Sequence, residues 1–243
     1  MEKRFVDLHT HILPGVDDGA KDMNTAIEML RMAWDNGTGT VVLTPHYRGR
    51  YKKTTPHELR AIFEELSNRA AKEVPGMKLI LGHEAGNEHE LWDKLLCERV
   101  LTLGGTSYVL LEFDEHCYRS NVLSSVLNLV NSGFLPVIAH VERYEIFRKT
   151  PSLAAEVVSM GAMLQVNAGS ILGKHGLGVT LYCRKLLRKG LVSFVASDAH
   201  DLKDRTPALR ACYERVRTLR GEAVARAVFA ENAQRILSET EAY

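Results

Sequence analysis

The stretch DLHTH at residues 7–11 decides the fold of this chain, because it ends the first apolar run with two histidines two positions apart. In an extended segment, residues i and i+2 project from the same face. His9 and His11 can therefore reach one metal ion together. Two hydrogen-bonded imidazoles are at least as common a reason for such a pair, so the inference depends on whether later strands repeat the pattern.

Later apolar runs also end in side chains that can bind a metal. The runs TVVLTPH, MKLILGHE, YVLLEF, LPVIAH and VSFVASDAH carry, at or near their ends, His46, Glu84, Glu112, His140, Asp198 and His200. Each run is short, rich in Val, Ile and Leu, and nearly continuous, which is typical of strands buried on both faces of a parallel sheet. A structural role explains any one of these residues as well as metal binding does, but it does not explain the whole set.

Helical segments separate the apolar runs. Periodicity predicts a helix over 24–36, and the sequence 55–58 is a capping box with proline at the first helical position. Thr150 is predicted to be the N-cap of a further helix that stops near Gly161. The strand–helix alternation recurs roughly seven times. Ligands at nearly every strand end favour a β/α barrel over an open doubly wound sheet, where they would cluster at one crevice.

Composition is that of one barrel-sized globular domain, and no linker divides residues 1–243. The chain has 31 Lys and Arg against 30 Asp and Glu, a net charge of +1, which argues against a general nucleic-acid binder. No segment resembles a signal peptide or reaches transmembrane length, so we expect a cytoplasmic protein without membrane insertion. The four cysteines, Cys97, Cys117, Cys183 and Cys212, form no Cys-x-x-Cys and are expected to be reduced.

The candidate ligands are imidazoles and carboxylates without a thiolate, a set that suits Mn, Fe or Zn. With Asp17 and Asp18 in the loop after the first run, they are too many for one ion and could hold two or three, one carboxylate bridging. Such a cluster activates water as a nucleophile and holds the attacking and leaving oxygens of a displacement. Three divalent ions bring roughly +6 and four carboxylates return −4, so the excess positive charge favours an anionic substrate.

On these motifs the chain resembles the polymerase and histidinol phosphatase (PHP) superfamily, and within it the metal-dependent protein-tyrosine phosphatases of bacterial capsule and exopolysaccharide clusters. The resemblance covers essentially the whole chain, and HILPGVDDG and AHVERY are its most specific motifs. It implies a distorted seven-stranded parallel β/α barrel with three divalent metals, Mn being favoured over Fe, Co or Zn. It also implies hydrolysis of phosphotyrosine, on a bacterial tyrosine autokinase that regulates exopolysaccharide, by metal-activated water.

The resemblance further implies how the ligands are divided. The sets are His9, His11, Glu84 and Asp198 for the first metal, Glu84, Glu112 and His140 for the second, and Asp18, His46 and His200 for the third. Whether Asp17 or Asp18 is the ligand stays open. The chain departs from the family at Ala85-Gly86-Asn87, where bulky residues are usual, and a more open pocket wall is the expectation there.

Two arginines and one basic loop complete the predicted site. Arg143 and Arg205 follow His140 and His200, and a planar guanidinium can bind two phosphate oxygens at once. The resemblance supports both as phosphate-binding residues. The loop 47–53 is basic with interleaved tyrosines, and it is either a solvated charge run or a surface for an acidic, tyrosine-rich peptide.

Other functional classes fit the sequence less well. Cysteine-dependent phosphatases carry an arginine six positions after the nucleophile, where this chain has Leu123 after Cys117. A nuclease or proofreading domain is disfavoured by the near-neutral charge, and a structural metal site needs only four ligands. A small-molecule phosphatase acting on histidinol phosphate remains the main alternative.

Overall fold

The computed structural model describes residues 4–49, 51 and 54–238, which form an α/β fold with a curled parallel sheet. Its strand segments are β1 (Phe5–Thr10), β2 (Thr38–Leu43), β3 (His46–Tyr47), β4 (Lys78–Leu81), β5 (Glu84–Gly86), β6 (Tyr108–Glu112), β7 (Leu135–Ile138), β8 (Met163–Asn167) and β9 (Phe194–Ala196). One part of the sheet has the order β1-β2-β4 and the other β3-β5-β6-β7-β8-β9. Parallel pairing joins neighbours in both parts, as the sequence predicts.

The count of seven strands is not confirmed, because two of the predicted strands are each interrupted. Thr44-Pro45 separates β2 from β3, and Gly82-His83 separates β4 from β5. Proline has no N–H to donate to a ladder, and glycine weakens a strand interior. The chain direction continues across both breaks, since Gly82 donates its N–H to Leu43 O and Glu84 donates to Pro45 O. At the far end, an isolated parallel bridge between Thr10 and Ala199 links the segments around β1 and β9.

Helices connect the strands. The structure gives α1 (Met23–Asp35), α2 (Pro56–Glu73), α3 (Leu91–Leu96), α4 (Arg119–Asn131), α5 (Glu145–Lys149), α6 (Leu153–Ser159), α7 (Ala168–Ile171), α8 (Leu177–Arg188), α9 (Arg210–Arg220), α10 (Glu222–Arg226) and α11 (Asn232–Leu237). A π-helical turn, Ala227–Glu231, connects α10 to α11, and short 3₁₀ turns lie at Leu103–Gly105 and Val141–Arg143. Among the described residues, no helix is both long and apolar enough to cross a membrane.

Two helix predictions are confirmed and one is wrong. Helix α1 ends before Gly37, which has a φ of +94°, and the Thr55 capping box is present at α2. Thr150 is not the N-cap of α6. The preceding segment is itself helical, so the Thr150 N–H closes α5 by donating to Ile146 O, and α6 begins at Leu153 with Ser152 as its N-cap residue.

Apolar side chains fill both faces of the sheet. The largest cluster packs α3 to α9 on the sheet, with Phe113, Phe147 and Phe229 fully or almost fully buried. A second cluster packs α1 and α2 on β2, and a third joins β1, β2, β6 and β7 to α11. Because these apolar contacts hold the strands in place, the residues at the carboxyl ends of the strands are not needed for packing and can be polar.

Loss of the capping box at α2 gives a test of local stability. Thr55→Ala removes the oxygen that accepts the Glu58 N–H, so the free energy of unfolding should fall by about 1 kcal/mol. Thr55→Ser keeps that oxygen and is the matched control, which should unfold like the parent in urea. Equal loss in both variants would show that the methyl group, not the cap, stabilises this turn.

Candidate metal centre

All nine side chains predicted as metal ligands lie at the carboxyl ends of strands or in the segments that follow them. They are His9, His11, Asp18, His46, Glu84, Glu112, His140, Asp198 and His200. Asp18 is exposed over 46% of its side chain and His46 over 13%, whereas the others are buried. Six segments that are far apart in the sequence therefore bring one polar cluster into an otherwise apolar interior.

Glu84 lies at the centre of this cluster. Its Oε1 is 3.3 Å from His9 Nε2 and 2.8 Å from His140 Nε2. Its Oε2 is 3.3 Å from His11 Nε2 and 2.8 Å from His46 Nδ1. Burial by itself raises the pKa of Glu84, but the surrounding imidazoles, His9 first, hold it well below its usual range. Each oxygen thus faces a different pair of histidines, which is the arrangement that a bridging carboxylate requires.

Asp198 connects the cluster to the predicted phosphate-binding side. Its Oδ1 is 3.5 Å from Nε2 of both His9 and His11. Its Oδ2 accepts a hydrogen bond from Asn167 Nδ2 at 2.7 Å and lies 2.8 Å from Arg205 Nη2. One carboxylate therefore faces the histidines with one oxygen and an arginine with the other.

Asp17 and Asp18 occupy different places. Asp17 Oδ2 lies 2.7 Å from His11 Nδ1 and accepts the His46 backbone N–H, and its Oδ1 accepts the N–H of Gly19. Burial by itself lowers the pKa of His11, but Asp17, together with Asp198 and Glu84, raises it well above the ordinary value. The contact turns His11 Nε2 toward the cluster. Asp17 is thus a support for His11.

Asp18, in contrast, faces the cluster directly. Its Oδ1 is 3.4 Å from His46 Nε2 and 3.6 Å from His200 Nε2. These two imidazoles, His200 first, hold the pKa of Asp18 well below its usual range. The carboxylate is therefore ionised and lies where His46 and His200 meet.

The donor atoms fit divalent cations. Three groups have one candidate atom per residue within 4.8 Å of the others: His11, Asp18, His46 and His200; His9, His11 and Glu84; His46, Glu84 and Glu112. His140 is outside these groups, but its Nε2 is 3.9 Å from Glu112 Oε1 in addition to its contact with Glu84. Glu84 Oε2 and His200 Nε2 are buried, and none of their contacts to described residues has the geometry of a hydrogen bond, which is costly unless a ligand satisfies them.

Strand β8 supplies no predicted ligand, yet it orients three of them. Gln165 Oε1 lies 3.1 Å from His9 Nδ1 and accepts the backbone N–H of His140 at 2.7 Å. Gln165 Nε2 donates to Asn167 Oδ1, and Asn167 donates to Asp198. With Nδ1–H donated to Gln165, His9 presents Nε2 to the cluster, which is the usual arrangement of histidine metal ligands.

The backbone at two of the predicted ligands is in the left-handed region. His140 has a φ of +30° and Asp198 a φ of +54°. For residues with a Cβ this conformation costs on the order of 1–3 kcal/mol, and it is concentrated at functional sites. The turn after β7 and the turn after β9 therefore bend specifically to aim these two side chains inward.

Arg143 and Arg205 lie on the Asp198 side of the cluster. Arg143 Nη1 is 3.9 Å from Asp198 Oδ2, and both guanidinium groups remain about two-fifths exposed. The Asp201 carboxylate accepts the backbone N–H groups of Lys203, Asp204 and Arg205, so the loop that carries Arg205 is held rigidly. Both arginines can reach an anion while they remain anchored to the site.

The basic loop is described only in part, since Arg50, Lys52 and Lys53 lie outside the described residues. Arg48 turns into the site, with Nη1 2.7 Å from Glu112 Oε2 and Nη2 3.3 Å from Asp114 Oδ1. The more open wall expected at Ala85-Gly86-Asn87 is not found. A Cβ on Gly86 would lie 2.9 Å from Arg48 Cβ, so Arg48 already fills the space that a bulky residue would take.

Cys117 has no features of a nucleophile. Burial raises the pKa of its thiol to about 11, which leaves almost no thiolate at neutral pH. All four cysteines are free thiols, as predicted.

Sequence reasoning missed the supporting residues Gln165, Asn167 and Asp201, and it placed Arg48 in the basic loop without its contact to Glu112. Gln165 and Asn167 had a usable signal, because two amides at i and i+2 interrupt an apolar strand and so share one face. Arg48 and Asp201 had none, since basic and acidic residues in loops are usually solvated.

A family model and several characterised proteins are similar in sequence to this chain. The family model "Capsular polysaccharide synthesis, CpsB/CapC" matches residues 5–238. The tyrosine-protein phosphatase YwqE of Bacillus subtilis is 36% identical over 201 residues, covering 83% of this chain and 79% of that protein. The tyrosine-protein phosphatase CpsB of Streptococcus agalactiae is 29% identical over 239 residues, covering 96% of this chain and 98% of that protein.

Solved structures are also similar to this chain. A structure from a study of YwqE from B. subtilis and CpsB from Streptococcus pneumoniae, described as metal-dependent tyrosine phosphatases, superimposes with a TM-score of 0.90 at 33% identity and covers 96% of this chain and 94% of that one. The histidinol phosphate phosphatase of Lactococcus lactis has a TM-score of 0.60 at 14% identity over 94% of this chain and 95% of that one, which shows a shared fold alone.

The β8 network predicts a change in metal affinity. Gln165→Leu removes the acceptor of His9 Nδ1 and the donor to Asn167, so metal affinity should fall by about 10- to 100-fold while the fold persists. Gln234→Leu, on the exposed surface of α11, is the matched control. Titration with Mn²⁺ followed by calorimetry measures the effect. Unchanged affinity in Gln165→Leu would mean that the His9 orientation is set by packing alone.

Proposed function

The chain belongs to the CpsB/CapC family of capsular polysaccharide synthesis, and from this premise we propose that it is a metal-dependent protein-tyrosine phosphatase. The observation that carries the proposal is the Glu84-centred cluster with Arg205 attached to it through Asp198. Imidazoles and carboxylates hold divalent ions, and the adjoining guanidinium binds a phosphate ester. The protein therefore hydrolyses phosphotyrosine without a covalent cysteine intermediate.

Three divalent metal ions, with Mn preferred over Fe, Co or Zn, are proposed to occupy the cluster. Their ligands are His9, His11, Glu84 and Asp198 for the first, Glu84, Glu112 and His140 for the second, and Asp18, His46 and His200 for the third. The two-sided contacts of Glu84 support its bridging role, and the contacts of Asp18 favour it over Asp17. When bound, such ions activate water for attack on phosphorus and neutralise charge on the phosphate oxygens.

The chain's own residues bind and orient the ester. Arg143 and Arg205 hold the phosphate oxygens by charge-assisted hydrogen bonds, which strengthen as negative charge builds up on those oxygens. Asp198 fixes the position of Arg205 relative to the histidines, because its two oxygens contact the two groups separately. The buried Gln165 and Asn167 keep these donors and acceptors aligned, so little reorganisation is needed during reaction.

The proposed substrate is a phosphotyrosine-containing protein, specifically a bacterial tyrosine autokinase that regulates capsule or exopolysaccharide synthesis. Relatives named as tyrosine-protein phosphatases support this class. Histidinol phosphate is not favoured, since the histidinol phosphate phosphatase shares the fold at only 14% identity. The four free thiols support a reducing, cytoplasmic location.

The finer architecture is also a proposal. Counting β2 with β3 and β4 with β5 gives seven positions of a distorted parallel barrel in a single domain spanning 1–243. The family match over 5–238 supports one domain, and the Thr10–Ala199 bridge supports closure beside β1.

Turnover after metal removal tests the function. Chelation with EDTA should abolish hydrolysis of a phosphotyrosine peptide, and added Mn²⁺ should restore it, because the nucleophile is water activated by metal. On the reconstituted protein, kcat/KM for the peptide should exceed kcat/KM for histidinol phosphate. A preference for histidinol phosphate would replace the proposal by a small-molecule phosphatase, and activity that survives verified metal removal would contradict the mechanism.

Substitution of the two arginines separates phosphate binding from metal binding. Arg143→Ala or Arg205→Ala each removes one charge-assisted contact, worth about 1.5–3 kcal/mol, so kcat/KM should fall by roughly ten- to a hundred-fold or more at unchanged metal content. His140→Ala should lose metal and activity together. Parent-like kinetics in both arginine variants would mean that the phosphate binds elsewhere.

A further inference from the structure

A cavity of about 180 Å³ opens beside Asp198, and Arg143 and Arg205 both line it. No other proposed metal ligand lines this cavity. Its remaining walls come largely from the segment that follows β8, including Leu172 and His175. The proposed phosphate-binding groups therefore share one cavity with a segment to which the proposed function assigns no role.

Leu172 is an apolar side chain in this polar setting. It is 40% exposed and lines the same cavity as the two arginines. Its place is fixed, because its N–H donates to Ala168 O at the end of α7, one turn beyond β8. Exposed apolar surface inside a ligand cavity is typically covered by an apolar part of the ligand.

His175 is held in the same cavity by a chain of hydrogen bonds. The Ser170 hydroxyl donates to Glu142 Oε1 at 2.5 Å, so its oxygen is free to accept from His175 Nδ1 at 3.1 Å. Glu142 is fully buried and also accepts the Asn167 N–H, which ties the chain to β8. Burial first, and then Arg143, lowers the pKa of His175, so the ring is neutral at neutral pH.

We propose that Leu172 and His175 form the subsite for the phenol ring of phosphotyrosine and thereby select aryl over alkyl phosphomonoesters. The proposal rests on the proposed function, since the phosphate must lie at Arg143 and Arg205. A flat neutral imidazole and a leucine offer dispersion contacts and ring stacking to a phenyl group. An alkyl phosphate leaves Leu172 exposed and gains neither contact. The segment after β8 is therefore the specificity element of the active site.

Paired substrates test the subsite. The metal-loaded parent, Leu172→Asn, His175→Gln and His175→Phe are compared on a phosphotyrosine peptide and on the phosphoserine peptide of the same flanking sequence. His175→Gln removes the ring, whereas His175→Phe keeps a ring without the Ser170 bond. Leu181→Asn is the matched control, because Leu181 is 51% exposed on α8 and does not line the cavity.

The expected result is a selective loss. Leu172→Asn and His175→Gln should each lower kcat/KM for phosphotyrosine by roughly tenfold, mainly through KM, and should leave phosphoserine turnover within about twofold. His175→Phe should retain most of the selectivity. Inhibition by inorganic phosphate and the metal content should match the parent in every variant, because neither wall touches the phosphate.

Three outcomes would overturn the proposal. Parent-like selectivity in both Leu172→Asn and His175→Gln, or an equal loss for both peptides, would show that these walls do not contact the ring. The same loss in Leu181→Asn would assign the effect to the surface of α8. A parent that is active on phosphotyrosine with unchanged variants refutes the subsite alone, whereas a metal-loaded parent inactive on phosphotyrosine refutes the proposed function and the subsite with it.

Discussion

One buried carboxylate organises this molecule. Glu84 is fully inaccessible, and an isolated charge in that position would be prohibitively costly. It is tolerable because imidazoles from three separate strand ends, together with His11, surround its two oxygens. His9 and His11 come from the end of β1, whereas His46 and His140 follow two other strands, so the constraint reaches across the sheet. A parallel curled sheet satisfies it, since all carboxyl ends meet on one side.

Bringing these side chains together requires strained backbone at two residues and supporting hydrogen bonds from β8. His140 and Asp198 adopt left-handed conformations, and the surrounding structure must over-determine them for such strain to persist. Gln165 does so for His140 by accepting its N–H, and Asn167 does so for Asp198 by donating to its carboxylate. A strand without a single proposed ligand thus fixes three of them. The amides are also neutral, so they orient the ligands without adding charge that would compete with a cation.

Local sequence patterns proposed the ligands but could not locate the interruptions of the strands. Eight of the nine proposed ligands follow from a pattern of an apolar run and a polar terminus, Asp18 comes from the loop after β1, and the nine side chains lie together in the structure. The breaks at Pro45 and Gly82 could not be located, because an apolar run reads the same whether its ladder is continuous or interrupted. Arg48 was equally hidden. Arg48 can turn inward to Glu112 because Gly86, which lies next to it in the fold, has no Cβ. This proximity cannot be seen in the sequence.

Asp198 gives the site two chemically different sides, because its two oxygens face different groups. One oxygen faces His9 and His11, and the other faces Arg205 and the cavity with Leu172 and His175. In the proposed binding mode, the phosphorus lies between the cluster and the arginines, and the leaving group points toward the segment after β8. This direction follows from the lining of the cavity, because the guanidinium groups offer hydrogen bonds to phosphate oxygens whereas Leu172 offers only apolar surface. The proposal thus assigns the reaction and the choice of substrate to two sides of a single carboxylate.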